Sequence, residues 1–419
     1  MIIRVAFATS DGKSVDRHFG AAERFDIYEI NTEKQEYERV EIRSVEKACL
    51  NHKHHAERMD AVAGAIEDCH AVFAELSGAG ARTVLESKNI QAIDIDRPIS
   101  QVIENLLYGK IKLIDKRYTE LPKKRQSPNF KKLQKKHPCM SGGANVTAGR
   151  IHLPVSPTCN IQCKFCTRRF DKSLIRPGVS SLVLKPEEAV ETIERAKELC
   201  PELTVVGIAG PGDTLATNAA LKTFALVKEK YPELINCLST NGFCLPSKVE
   251  EIAKIGIETI TVTVNAVDPE IEAKINEFVI DENGVKHEGV EGAKLLIENQ
   301  LKGIKKAAEL GIVVKINSVL CPGINDEHIE EVAKVTSKLG ASILNIIPLI
   351  PQNGMADVPA PDCKLLDEVR LKAGKYIEVF RHCQHCRADA LGIPGKGKDL
   401  HSELYKDRKE EVAETFSHG

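Results

Sequence analysis

Three cysteines within eight residues, Cys159-Asn160-Ile161-Gln162-Cys163-Lys164-Phe165-Cys166, constrain this chain more than any other stretch. A C-x3-C-x2-C spacing suits a [4Fe–4S] cube in which three irons each take one thiolate. The fourth iron is then left without a protein ligand, and an open coordination site is where a substrate or cosubstrate can bind. A zinc knuckle or a chance group of buried thiols is the competing reading. Structural zinc usually asks for four ligands in paired C-x2-C units, and no second pair stands close by in sequence. Thirteen cysteines in 419 residues, several of them bunched, point to metal or redox chemistry rather than disulfides. A reducing, cytoplasmic location is expected. Ile2 to Ala8 opens directly as a strand without a basic n-region, and no apolar run approaches the ~18–20 residues of a membrane helix. A formal net charge of -2 gives no support for nucleic-acid or membrane-surface binding.

Residues 1–115 read as a small α/β domain. Its strands are expected at Ile2 to Ala8, Arg24 to Ile30, Ala71 to Ala74 and Ile90 to Ile95, with helices near Arg58 to Asp68 and Ser100 to Leu107. The order of elements and the stretch Asp16-Arg17-His18-Phe19-Gly20 resemble the nitrogenase iron–molybdenum cofactor-binding (NifX-like) domain, which implies a ribonuclease-H-like mixed sheet. His18 is the candidate cluster contact there, with a solvated loop histidine as the alternative. The run His52, His54, His55 reads as a polar loop, with metal binding as the alternative. Residues 116–136 carry many Lys and Arg, Pro122 and Pro128, and read as a basic linker.

Residues 137–400 alternate apolar strands and helices. Strands are expected at Ile151 to Val155, Leu203 to Ile208, Ile235 to Ser239, Thr259 to Val264, Val313 to Val319 and Ile343 to Ile347. Helices fall at Pro186 to Leu199, about Gly292 to Leu310, and Glu327 to Leu339, and residues 401–419 read as a polar tail. Near-continuous apolar strands separated by helices mean a parallel sheet covered by helices. Six such units suit an α/β architecture of the partial (β/α)6, TIM-like kind, whose chemistry sits at the C-terminal strand ends.

The cysteine loop follows the first strand, and Ala209-Gly210-Pro211-Gly212-Asp213 follows the second. Gly210 and Gly212 let backbone approach a ligand closely, and Asp213 could assist; a plain strand-to-helix turn is the alternative. Ser239 and Asn241 end the third strand, Asn265 follows the fourth, and Asn317-Ser318 lies on the fifth. Small hydroxyl and amide side chains at successive strand ends suit a ribose and a carboxylate, although such residues also cap helices. Cys237 lies on the third strand. Cys383 and Cys386 form a C-x2-C pair that, with Cys139, could hold another iron–sulfur cluster; a redox pair is the alternative.

Taken together, the three-cysteine spacing and Phe165 before its last cysteine resemble the radical S-adenosylmethionine (SAM) enzymes. His-Pro-Cys, Cys-Asn-Ile-Gln-Cys-Lys-Phe-Cys, Gly-Ile-Ala-Gly-Pro-Gly-Asp, Leu-Ser-Thr-Asn-Gly, Asn-Ala-Val-Asp-Pro-Glu-Ile, Pro-Gly-Ile-Asn-Asp-Glu-His and Cys-Arg-Ala-Asp-Ala occur in that order between His137 and Gly397. In this they resemble the nitrogenase cofactor maturase (NifB) family. The resemblance implies that the open iron chelates SAM, that Gly210, Gly212 and Asp213 lie at its methionyl end, and that Phe165, Ser239, Asn241, Asn265 and Ser318 contribute to its pocket. It implies an auxiliary [4Fe–4S] cluster on Cys139, Cys383 and Cys386, and Cys237 at a precursor-cluster site. The implied reaction fuses two [4Fe–4S] units with a carbide drawn from SAM, giving an eight-iron cluster. Implied partners are iron–sulfur cluster donors, nitrogenase cofactor carrier or scaffold proteins and a reductant such as ferredoxin. Lys172 stands where family members usually have a further cysteine, and Asn145-Val146 where they tend to have a histidine pair. Two other functions stay open: a radical SAM enzyme with one auxiliary cluster acting on a peptide, small molecule or other metallocluster, and a non-catalytic cluster carrier.

Overall fold

Six apolar runs pair side by side in parallel: Gly149–His152, Leu203–Ile208, Ile235–Thr240, Thr259–Thr263, Val313–Leu320 and Ile343–Pro348. Glu378–Phe380 extends this sheet in parallel beyond the sixth strand, and Leu391–Gly392 pairs antiparallel with the first. Side chains alternate across each strand. One set, including Val206, Leu238, Ile260, Val314 and Leu344, packs against the covering helices. The other set, including Arg150, Gly207, Cys237, Thr261, Lys315 and Asn345, faces a cavity inside the curved sheet.

The structure is a computed structural model that describes residues 2–32, 34–50, 53–54, 56–88, 90–111, 113, 128–167, 169–171, 173–384, 386–397 and 399–408. Two units are present, Met1–Glu120 and Leu121–Gly419. In the first, a mixed five-stranded sheet runs in the order Glu36–Ser44, Arg24–Asn31, Ile2–Ala8, Ala71–Ala74, Gln91–Asp94. The first three are antiparallel neighbours and the rest are parallel. Glu36–Ser44 is a strand that the pattern does not announce, because almost all its side chains are exposed and no alternation is imposed on them. His18 lies in the loop after the first strand, exposed and 3.6 Å from the Glu75 carboxylate. His52 and His55 lie outside the described residues.

Two expectations for the second unit need correction. The basic stretch before His137 is not all linker: Pro128–Gln134 is helical, and Phe130 and Leu133 are buried against Val205, Ile235, Val313 and Ile343. These four lie toward the N-terminal ends of their strands, so the helix closes the floor of the barrel. The segment after residue 400 also packs, with Leu404 and Tyr405 in the main core and Arg195 of the Pro186–Leu199 helix bonded to Asp407 and the Glu403 carbonyl. Phe130→Ala should therefore lower the stability of this unit by about 3–5 kcal/mol, the usual cost of emptying a buried aromatic site. Chemical denaturation followed by a barrel-specific probe checks this.

Candidate active site

The loop from Pro157 to Thr167 is fixed from several sides before any ligand is considered. Ile161–Cys163 pairs antiparallel with Asn276–Ile280, which sets Cys163 beside Asn276. Lys164 donates its N–H to the Ile275 carbonyl and its ammonium to that of Ala273. Gln352 donates to the Phe165 carbonyl (2.6 Å) and Asn353 to that of Cys166 (2.7 Å). From the second strand's loop, the N–H groups of Gly212 and Asp213 bond the Ser156 and Thr158 carbonyls. Gly212 is required there: a Cβ would stand 2.2 Å from the Thr158 oxygen. Gly210 has φ +119°, a conformation that L side chains rarely adopt.

Asp213 is a brace rather than a free ligand contact. Its buried carboxylate accepts from the Leu215 and Asn241 N–H groups and from Thr240 Oγ1, tying the loops after the second and third strands together. Burial pushes its pKa up, opposed by those donors. Asn241 in turn donates to Asn160 Oδ1 (2.7 Å) and lies 3.9 Å from Cys159 Sγ. Asn265 lines the cavity, although its Oδ1 is taken by the Val319 N–H. Ser318 is a correction. Its buried hydroxyl bonds the Val264 carbonyl, and pleat parity instead turns Asn317 and Val319 to the cavity.

One cavity of about 330 Å³ is lined by Cys159, Cys163 and Cys166 and also by Cys139, Cys237, Cys383 and Cys386. Phe165, Gly212, Asp213, Ser239 and Asn241 line it too. The structure thus brings Cys139 together with Cys383 and Cys386 across more than two hundred residues of sequence, and both Cys139 and Cys383 act electrostatically on Cys386. Cys383 lies toward the floor of the barrel, away from the C-terminal strand ends where the chemistry of such an architecture is expected. Cys383, Cys237 and Met140 pack with the floor residues Val205, Ile235, Val313 and Ile343. Asn145 helps hold them there. Its buried amide donates to the Pro138 and His382 carbonyls (3.4 and 3.3 Å), joining the two stretches that carry the thiols. Lys172 lies outside the described residues.

Sequence reasoning missed the basic groups around these thiols. Arg150 and Lys315 are buried (5% and 4% exposed), and among the described residues neither forms an ion pair with a carboxylate. The Lys315 ammonium donates to the Cys139 carbonyl (3.0 Å) and lies 4.3 Å from the Phe380 ring centroid. Burial works against the charge of Arg150, but Cys386 and Cys139 hold its pKa above the ordinary value. A buried cation needs an anion nearby. Thiolates with a bound cluster meet that need, so these residues fit an iron–sulfur group. The signal was present: an arginine and a lysine on cavity-facing positions of otherwise apolar parallel strands. Among the described residues no three His, Cys, Asp or Glu side chains are grouped as ligands of one metal ion. A cube does not require such a group, because its thiolates bind different irons. Burial pushes the Cys237 thiol up to about 12, so it stays protonated without a metal.

At the other end, Glu272 Oε2, Asn276 Oδ1 and Gln300 Oε1 are buried acceptors with no donor among the described residues, and all three residues line the cavity. SAM carries donors of the matching kind, an ammonium and ribose hydroxyls. Burial also pushes Glu272 up to about 7. An acid raised on folding stabilises the fold fully below its unfolded pKa near 4.5, and that contribution is lost as pH rises through about 7. Relative to Glu272→Gln, the ligand-free protein should lose about 2 kcal/mol between pH 5.5 and 8. Denaturant unfolding at several pH values measures it.

Family comparisons add to this geometry. The radical SAM superfamily model matches residues 153–335, and the dinitrogenase iron–molybdenum cofactor model matches residues 1–109. The chain is 46% identical over 284 residues to the FeMo cofactor biosynthesis protein NifB of Methanocaldococcus infernus, covering 67% of this chain and 93% of that one. It is 44% identical over 291 residues to the protein of that name from Methanocaldococcus jannaschii, covering 69% and 96%. Against that of Azotobacter vinelandii it is 40% identical over 292 residues, covering 68% of this chain but 57% of that one. A radical SAM methyltransferase from Sphaerobacter thermophilus aligns with a TM-score of 0.43 at 16% identity, over 58% of this chain and 70% of that one, a likeness too loose to argue from.

Proposed function

Because the chain belongs to the NifB family of radical SAM enzymes, we propose that it builds the iron–sulfur core of the nitrogenase cofactor. In this reading it fuses two [4Fe–4S] units and inserts a carbide drawn from SAM, yielding an eight-iron precursor cluster by transferase and lyase chemistry. The observation that carries the proposal is the one cavity lined by two separate sets of three cysteines and by Cys237 of the barrel wall. Cys159, Cys163 and Cys166 would hold the SAM-binding cube, which supplies the electron for reductive cleavage of SAM.

The chain's own residues do the rest. Asn241 fixes Asn160 beside Cys159, and Gly212 and Asp213 hold the backbone before it, so the loop is preorganised. Glu272, Asn276 and Gln300 offer acceptors to the donors of SAM. Cys139, Cys383 and Cys386 would hold an auxiliary or substrate cluster within the same walls, and Arg150 and Lys315 would offset its charge. Enclosure of both in one cavity limits the access of water and lets a reactive fragment pass between them. Cluster donors, a cofactor carrier and a low-potential reductant such as ferredoxin are the partners this chemistry requires. The cofactor-family match of residues 1–109 supports an exchange with the carrier.

Anaerobic reconstitution with iron and sulfide tests the assignment. Replacing Cys159, Cys163 and Cys166 by Ala should abolish 5′-deoxyadenosine formation and remove about four irons per chain, the iron of one cube. Replacing Cys139, Cys383 and Cys386 should remove a different set of about four. With methyl-labelled SAM, the label should enter a larger cluster extracted from the unaltered protein. Two stable cubes with SAM cleavage but no label in any cluster would overturn the maturase reading and favour a peptide or small-molecule substrate.

A further inference from the structure

His137 is 1% exposed and lines the cavity shared by Cys139, Cys383 and Cys386. Its Nδ1 accepts a hydrogen bond from the Cys139 N–H at 3.1 Å. A ring nitrogen that accepts carries no proton, so the proton of this imidazole sits on Nε2. That Nε2 is buried and has no partner among the described residues. Lys315, His152 and Arg150 are the basic groups that act on this ring electrostatically. Lys315 and Arg150 are donors only, and His152, whose Nδ1 donates to the Arg387 carbonyl at 2.8 Å, forms no hydrogen bond with this nitrogen. A buried N–H is normally satisfied. What this nitrogen lacks is therefore an acceptor, in a cavity that Cys139, Cys383 and Cys386 also line.

We propose that His137 donates an Nε2–H···S hydrogen bond to a sulfur of the cluster carried by Cys139, Cys383 and Cys386, and so raises that cluster's reduction potential. The proposal rests on the reading of those cysteines as cluster ligands. A donor to a cluster sulfur stabilises the reduced, more negative form, and such bonds are among the main determinants of iron–sulfur potentials. The backbone bond from Cys139 makes the arrangement self-aligning: the residue that supplies the thiolate also fixes which ring nitrogen holds the proton. An imidazole ligating iron through Nε2 would have to lose that proton first, so the same bond argues for a donor rather than a ligand.

The test uses full-length protein with Cys159, Cys163 and Cys166 replaced by Ala, so that only the second cluster is observed. In an EPR-monitored redox titration, His137→Phe should shift the midpoint to a more negative value by about 59 mV, a tenfold change in a one-electron equilibrium. His137→Gln, whose amide N–H reaches to the position of Nε2, should restore most of it. Iron content reports separately on the cysteine assignment. If no cluster is bound with His137 intact, that assignment fails. If the cluster is retained and the midpoint does not move, the hydrogen bond fails. Should His137→Phe not hold a cluster, pulsed EPR on protein containing 15N-histidine decides with His137 in place. A weak nitrogen coupling that disappears in His137→Gln is expected. A strong coupling, as from direct ligation, or none at all, overturns the proposal.

Discussion

Two positive charges, on Arg150 and Lys315, are buried inside the barrel without an ion-paired carboxylate among the described residues, and much of the surrounding structure follows from that. In water each would be solvated; here they face the thiols of Cys139 and Cys386, a backbone carbonyl and one aromatic ring. Such an interior is poor as a hydrophobic core and well suited to an anionic guest. The packing around it is arranged accordingly. Phe130 and Leu133 seal the floor beneath the cations, while the helix-facing sides of the strands carry the aliphatic core that stabilises the barrel. Stability and chemistry are thus assigned to opposite faces of the same strands.

The two ends of the cavity are built on different principles. The upper loop is held by short-range backbone bonds from neighbouring strand ends, and its tightest point is the close approach of Gly212 to Thr158. The lower site is assembled from distant stretches, joined by the Asn145 amide and by the pairing of Leu391–Gly392 with the first barrel strand. A buried pair, Arg387 with Asp389, adds to this. Arg387 also donates to the carbonyls of Asp171 and Leu174, so the closing segment is tied to the loop that follows the first three cysteines.

What the sequence disclosed depended on whether burial left a pattern. The parallel strands were legible because helices cover one face and the cavity the other, so their bounds fell within a few residues of the observed ones. The Glu36–Ser44 strand was not legible, since its exposed side chains carry no period. The helix over Pro128–Gln134 hid in a basic stretch because two apolar residues, Phe130 and Leu133, carry its contact with the core. At the site, cysteine spacing announced both thiol sets, but the level of the second in the barrel was a matter of tertiary packing. Ser318 shows the limit most plainly. Its neighbour Asn317 carries a similar polar group, and only the pleat decides which of the two meets the cavity.

The closure of Leu391–Gly392 onto Gly149–His152 has a consequence for how the protein is made. Cys159, Cys163 and Cys166 emerge from the ribosome together, and their loop can take shape once the neighbouring strands exist. Cys139 emerges even earlier, yet its partners Cys383 and Cys386 follow more than two hundred residues later, just before the segment that locks them in place. The lower thiols cannot form a competent site on a nascent chain. The topology therefore orders the two sets of thiols in time: the upper three are made together, whereas the lower three can meet only after Cys386 has been made and Leu391–Gly392 has paired with the first barrel strand.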